Sequence, residues 1–386
     1  MKSLFLILFL SVMFISCKDD NNLREITDDE KIFEYIGLKD KANVIEAQEK
    51  VWNTYGRPYR PSVQVVDGYI YIATWSGIYR KPAKSLNNMD WEKFAFSGLP
   101  VIQFVMKGDS IIAITACTDE KAFVLSTDGG KTCKAITPPE FLIEENELKV
   151  IPYSISQNSQ NANSLLALVE PIGVVKSVNF GKSWKTISTF YGGYQNWFVG
   201  FHPQDTTNIY NTGETMIFES FINASCNDGK DWIILENERN NCIHHIAFDP
   251  TNPNIMIYSG EYFLKKTIDK GRIWNPNIMI YSGEYFLKKT IDKGRIWNPV
   301  LKDDVYFYKT IYDKRNPQIL YSTGVTRIPK EEHKFTIHHS TDGGDTWSIL
   351  YQADLLGVGG IIDIEQYDDI LILYTYTDGI YIYRIK

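Results

Sequence analysis

The chain has 386 residues, long for one compact core but suited to an architecture that grows by adding repeated units. Aromatic residues make up 14% of it (24 Tyr, 20 Phe and 9 Trp), a balance that favours strands over helices. Net charge is −7 with no long basic run, which argues against nucleic acid as a partner, because a phosphate backbone calls for a basic patch.

Residues 1–17 read as a targeting segment. Lys2 supplies the positive n-region, and Leu4 to Ile15 is apolar but too short to span a bilayer as a mature helix. The stretch ends in Phe14, Ile15, Ser16 and Cys17, which resembles a lipobox with Phe where Leu is usual, so Cys17 is the expected acylation site. Lys18, Asp19 and Asp20 follow at once and resemble the surface-export signal of Bacteroidetes lipoproteins. The resemblance implies a protein held by lipid to the outer membrane and exposed at the cell surface. An ordinary signal peptide with an incidental Cys is the alternative. Residues 18–44 read as a polar tether and lead-in, charged at first (KDDNNLREITDDEK). Four cysteines remain, Cys117, Cys133, Cys226 and Cys242; their spacing matches no disulfide framework or CxxC motif, and no pair is assigned.

From residue 45 onward the chain repeats itself. Alternating apolar runs bounded by turns occur at 65–81, 109–126, 164–177, 207–220, 245–274, 316–324 and 367–386. Most lead into one motif, Ser/Thr-x-Asp/Asn-x-Gly-x-x-Trp: STDGGKTC (126–133), SVNFGKSW (177–184), SCNDGKDW (225–232), TIDKGRIW (267–274 and 290–297) and STDGGDTW (340–347). A decayed copy, SLNNMDW, lies at 85–91. The motif is built to fold. Its Asp or Asn accepts backbone N–H bonds in a tight turn, its Gly adopts a conformation a Cβ would penalise, and its Trp wedges between sheets. The structural positions are thus Asp128, Asn179, Asn227, Asp269, Asp292 and Asp342, and Cys133 stands where the wedge Trp belongs, so packing alone accounts for it.

These motifs resemble the Asp-box, or BNR repeat, of sialidases, sortilin-type propellers and xyloglucan-active hydrolases. The resemblance covers residues 45–386 and implies an all-β propeller of about seven four-stranded antiparallel blades. The last unit stops after three strands, and QEKVWNTYG (48–56) resembles the fourth strand of the first blade, so an N-terminal strand is expected to complete the last one. Residues 275–297 duplicate 252–274 letter for letter. This segment is half a blade; one copy fills a blade and the other loops out or forms an extra hairpin.

If the motif turns mark one face, the second-to-third and blade-to-blade connections mark the other, where propeller ligands usually sit. That face is expected to carry Glu120, Glu170, Glu214 and Glu261, and also Trp75, Tyr191, Tyr194, Trp197, Asp303 and Tyr306. Carboxylates beside aromatic faces suit a sugar, and two of Glu170, Glu214, Glu261 and Asp303 could form a general acid/base pair. The alternatives are solvated loop acids and core aromatics. Sialidase chemistry needs three arginines. Arg60 and Pro61 resemble its Arg-Ile-Pro without the middle residue, Arg327 lies in a fuller match, TRIP (326–329), in the wrong blade, and Arg272 and Arg295 lie in motif turns, so no triad assembles. The pairs His244-His245 and His338-His339 lack metal-ligand spacing and read as structural.

The expected function is a monomeric lipoprotein binding a glycan or protein partner through its non-motif face, with no metal and no cofactor. A glycoside hydrolase, sialidase-like or xyloglucanase-like, is the main alternative. A scaffold role like that of the plastid photosystem assembly propellers, which use the same repeat, is a third.

Overall fold

The computed structural model describes residues 32–44, 60–117, 120–136, 151–170, 172–189, 193–215, 219–239, 242–260, 264–267, 274–275, 279–281, 286–289, 298–301, 305–326, 334–354 and 360–385. Every sheet among them is antiparallel, and all but the one that Phe33–Gly37 joins are simple meanders, as expected of runs that alternate apolar and polar residues between tight turns. Six four-stranded blades stand clear of the duplicated segment: 63–95, 101–135, 151–188, 193–239, 305–354, and 361–384 joined by Phe33–Gly37. That is one fewer than the sequence count of about seven, which includes the unit 245–274 that runs into the duplicated segment.

The duplicated segment enters two further sheets. Its first copy supplies Met256–Gly260, Leu264–Thr267 and Trp274, the last sharing its strand with Asn275 of the second copy, and these follow Ile243–Phe248 in a four-stranded sheet. Its second copy supplies Met279–Tyr281 and Phe286–Lys289, which pair with Asn298–Leu301 as a separate three-stranded sheet.

Hydrophobic contact passes from sheet to sheet. Tyr71 and Ile78 pack with Phe104 and Ile111, Ile112 with Leu165, and Leu166 and Val174 with Val199 and Ile209. Tyr210 and Ile222 meet Ile246 and Tyr258, which meet Phe307 and Leu320. Tyr321 and Ile337 then pack on Ile364 and Leu371, and Ile370 and Ile372 on Ile70. The first strands of neighbouring sheets touch, so they are the innermost. The architecture is an all-β propeller with four-stranded antiparallel blades.

Two expectations about the N-terminal part change. The strand paired with Ile380–Arg384 is Phe33–Gly37, from the segment read as tether and lead-in, whereas 48–56 lies outside the described residues. Its own side chains explain the placement: Phe33 stacks on Tyr351 and Tyr381 at 4.9 and 4.8 Å.

The repeated turns form as their residues dictate. In each of four, the Ser hydroxyl donates to the Asp or Asn two residues on and accepts the N–H of the motif Gly. The same carboxylate or amide oxygen accepts an N–H four residues along, as from Thr132 to Asp128 (3.0 Å) and Thr346 to Asp342 (2.8 Å). The Thr132 hydroxyl and N–H hold the Asp128 carboxyl far below the usual range. Burial works the other way on Asp342, but the bonds from Thr346, Ser340 and Asp345 together hold it below the ordinary range. Gly130 has φ +87°, and a Cβ there would sit 2.2 Å from that of Ala95 in the preceding blade.

The wedges face backwards as well. Trp232 Nε1 donates to Ile187 O on the outer strand of the preceding blade (2.9 Å), and Trp91, in the decayed copy, donates to Ile36 O in the same way (2.7 Å). Cys133 corrects one expectation. It is exposed, because a side chain as short as Cys does not reach the neighbouring blade that Trp reaches. Asp269 and Asp292 lie outside the described residues, as does Cys17.

Candidate functional site

Six of the innermost strands carry a β-bulge near their N-terminal ends. The register slips between Val101 and Gln103, Pro152 and Ser154, Asn196 and Phe198, Ile243 and His245, Phe307 and Lys309, and Ile361 and Asp363. A bulge leaves one residue unpaired and re-aims its side chain. The residues so placed are Ile102, Tyr153, Trp197, His244, Tyr308 and Ile362.

After four of these bulges the next residue bonds its blade to the following one. Gln103 Oε1 accepts Ile155 N–H (2.9 Å), Ser154 Oγ accepts Val199 N–H (3.4 Å), and Asp363 Oδ2 accepts Val63 N–H (2.7 Å). Lys309 Nζ donates to Asp363 Oδ1 (2.6 Å). Burial disfavours the Lys309 ammonium, yet Asp363 and Glu365 hold it above the ordinary lysine range. His245 goes the other way. Burial and then Lys309 push it down to about 3, so it is a neutral ring packed on Phe198.

The bulged residues lie away from the repeated turns. Those turns bond to the turns that end the innermost strands, as Gly343 N–H does to Gln318 O and Asp228 N–H to Thr207 O. The bulges lie at the other end of these strands, where Ile243 pairs with Gly260 and Val101 with Thr115. Three of them meet there. Trp197 and His244 contact edge to face at 4.9 Å, and His244 and Tyr308 lie 5.3 Å apart.

Onto this wall reaches Arg60, from the segment that leads into Val63–Val66. Its guanidinium carbon lies 4.0 Å from the Trp197 ring centre and 4.7 Å from that of Tyr308, and its NH1 is 2.9 Å from His244 Nδ1. Burial and the adjoining guanidinium hold His244 well below the usual histidine range, so the ring is neutral and its Nδ1 can accept. Arg60, Trp197 and Tyr308 are each only partly buried, whereas His244 is 4% exposed.

Two of the expected carboxylates lie beside these strands. Glu214 belongs to the strand Ile209–Thr215 and is 4% exposed, which overturns the solvated-loop reading for it. The strand runs further than the turn signals indicate and carries its last acid inward. Cys242 Sγ donates to Glu214 Oε2 (3.1 Å). Burial raises the Glu214 carboxyl above its ordinary range and the thiol only partly opposes this. Glu170 ends the strand Leu165–Glu170 and accepts the hydroxyl of the bulged Tyr153 (2.6 Å). Trp75 sits in the turn after Tyr69–Thr74, 5.5 Å below the Lys41 ammonium, and packs, as Tyr308 does, against the cluster that contains Ile362.

Of the remaining expected residues, Glu120 opens a short 3-10 turn and Tyr194 and Tyr306 lie on innermost strands; only their backbones are described. Glu261, Asp303, Tyr191 and Arg327 lie outside the described residues. Sequence reasoning missed Tyr308 and treated His244 as structural and Arg60 as an incomplete sialidase signal. Of the four described cysteines, Cys242 is buried, Cys117 partly buried and Cys226 exposed like Cys133. Among the described residues no cluster of His, Cys, Asp and Glu could hold a metal ion.

No protein-family model matches the chain, and no curated protein matches it either. Solved structures do. A GH74 xyloglucanase from Xanthomonas campestris aligns over 92% of this chain and 53% of its own with TM-score 0.60 and 14% identity. YCF48 from Cyanidioschyzon merolae aligns over 92% of this chain and 99% of its own with TM-score 0.56 and 13% identity. YCF48 bound to a D1 peptide aligns over 85% and 93% with TM-score 0.53 and 14% identity. The chain thus spans about half the length of the xyloglucanase. These likenesses define the class, a β-propeller.

Proposed function

We propose that this protein is a lipid-anchored, cell-surface propeller that binds a glycan or protein partner on the face away from its repeated turns. The observation that carries the reading is the wall of Trp197, His244 and Tyr308, contributed by three neighbouring sheets and partly open to solvent. Ligand sites tend to combine such aromatic surface with a few placed polar groups. The resemblance of 126–133 and 340–347 to Asp-boxes supports assigning the opposite face to folding, since its polar groups bond to one another.

Binding is tested by offering the purified chain to arrays of extracellular glycans and surface proteins. Trp197→Ala is expected to abolish capture of a partner that the wild type retains, and Trp347→Ala in the opposite face is expected to spare it. Capture that survives Trp197→Ala would place the site elsewhere. Anchoring is tested by labelling with a palmitate analogue in a bacterial host, which Cys17→Ala should abolish.

A glycoside hydrolase is the second reading, favoured by Glu214, whose raised pKa suits a general acid. The fold shared with GH74 xyloglucanases allows it. Glu214→Gln should then abolish hydrolysis of aryl glycosides or xyloglucan, and activity unchanged by that substitution would remove Glu214 from the chemistry.

A further inference from the structure

The wall of Trp197, His244 and Tyr308 is already occupied by a group of the chain itself. Arg60 lies over two aromatic faces and within hydrogen-bond reach of a neutral imidazole nitrogen. Each of these contacts is specific for the kind of group it receives. The faces of Trp and Tyr carry negative quadrupole charge and attract a cation, and a planar guanidinium stacks on them while its N–H groups donate in plane. An ammonium can share the attraction but cannot stack and donate in that manner, and a carboxylate would meet the negative faces and the acceptor nitrogen with repulsion.

The surroundings hold the seat in shape. The three rings stand on bulges, and Phe198 and Lys309, which follow two of them, lie against the neighbouring blade, so their placement follows from the blades and not from Arg60. His244 and Glu214 are nearly fully buried, and Cys242 links the carboxyl to the strand that carries His244. Arg60, by contrast, precedes the first strand of its sheet and reaches across to rings of three other sheets.

We infer that Trp197, His244 and Tyr308 form a seat for a guanidinium cation, kept by Arg60 in this structure, and that an arginine side chain of a polypeptide partner takes the same seat in exchange. The contacts at the seat are alike for either guanidinium, so the partner's remaining contacts must offset the advantage that Arg60 has from being tethered. The chain's net charge of −7 attracts a basic partner. The inference rests on the reading that this face receives ligands and narrows the ligand to an arginine-bearing polypeptide.

The test empties the seat and refills it. Full chain with Arg60→Ala is titrated with methylguanidinium, methylammonium and acetate, followed by calorimetry and by tryptophan fluorescence. Methylguanidinium is expected to bind this variant with a Kd on the order of 10 mM and at least roughly tenfold more tightly than it binds wild type, as a partly exposed cation–π seat allows. Methylammonium should bind more weakly, acetate should not bind, and the added Trp197→Ala should remove the methylguanidinium signal. Arg60→Gln, which keeps part of the side-chain stem, replaces Arg60→Ala if circular dichroism shows the latter unfolded. Methylguanidinium binding no better to the folded variant than to wild type would overturn the seat, as would equal binding of methylammonium or signal surviving Trp197→Ala. If the seat fails while Trp197→Ala still abolishes partner capture, the face remains a ligand face and only its guanidinium specificity is lost.

Discussion

The two ends of the innermost strands solve opposite problems. At one end, four repeated turns carry the same bonds from Ser to Asp or Asn and from Gly to Ser, with distances that hardly vary. At the other end the equivalent bulged positions hold Ile102, Tyr153, Trp197, His244, Tyr308 and Ile362, four residue types among six places. Uniformity at one end follows from a shared task, the attachment of each blade to the one before it. Diversity at the other fits the proposed ligand face, whose ligand need not share the symmetry of the ring. In a repeat protein, the departures from the repeat are therefore the informative positions.

The sharpest way to break this contrast lies at the junction of the blades. Lys309→Met leaves the Asp363 carboxylate buried without its ammonium partner, and should cost about 3–5 kcal/mol in urea denaturation. Next comes the pair of tryptophans. Trp347 is buried against Met256 and Ile257, so Trp347→Ala should cost about 3–5 kcal/mol, whereas the partly exposed Trp197 should cost clearly less. A stability loss at Trp197 equal to that at Trp347 would mean that the two ends share one role.

Smaller effects test the turn and the buried acid. Gly130→Ala places a Cβ against that of Ala95 at positive φ and should cost about 2–3 kcal/mol, measured by the same denaturation. Glu214 should give the smallest effect, and one that depends on pH. Its folded pKa is raised, so the stability it contributes is complete below the unfolded value and is lost as pH rises through the folded one. Glu214→Gln should therefore melt level with wild type near pH 4 and above it at pH 8. A gap that widened on acidification would contradict the buried, proton-retaining carboxyl.

The turns were legible because each is closed within a few residues. Ser126, Asp128, Gly130 and Thr132 meet one another whatever the rest of the chain does, so their spacing alone displays the chemistry. The site was only half legible. Trp197 was read as a platform residue and lies in the wall, but the nearby choice of Tyr306 misses the residue that touches Arg60, which is Tyr308. Strand alternation treats those two tyrosines alike; a bulge at Tyr308 breaks the alternation, and no residue pattern announces it. Glu214 was noticed for its place near a turn, but its burial depends on how far the strand continues.

By itself the sequence determined the strand periods, the turns and the wedge tryptophans, because each of these is an interaction between near neighbours along the chain. Tertiary structure decided which copy of the duplicated segment joins Ile243–Phe248, and that Phe33–Gly37 pairs with Ile380–Arg384. It also decided that Arg60 meets His244, 184 positions further on. Such contacts depend on the stacking angle and register of whole sheets, which are set by the summed packing of many side chains and by no local motif.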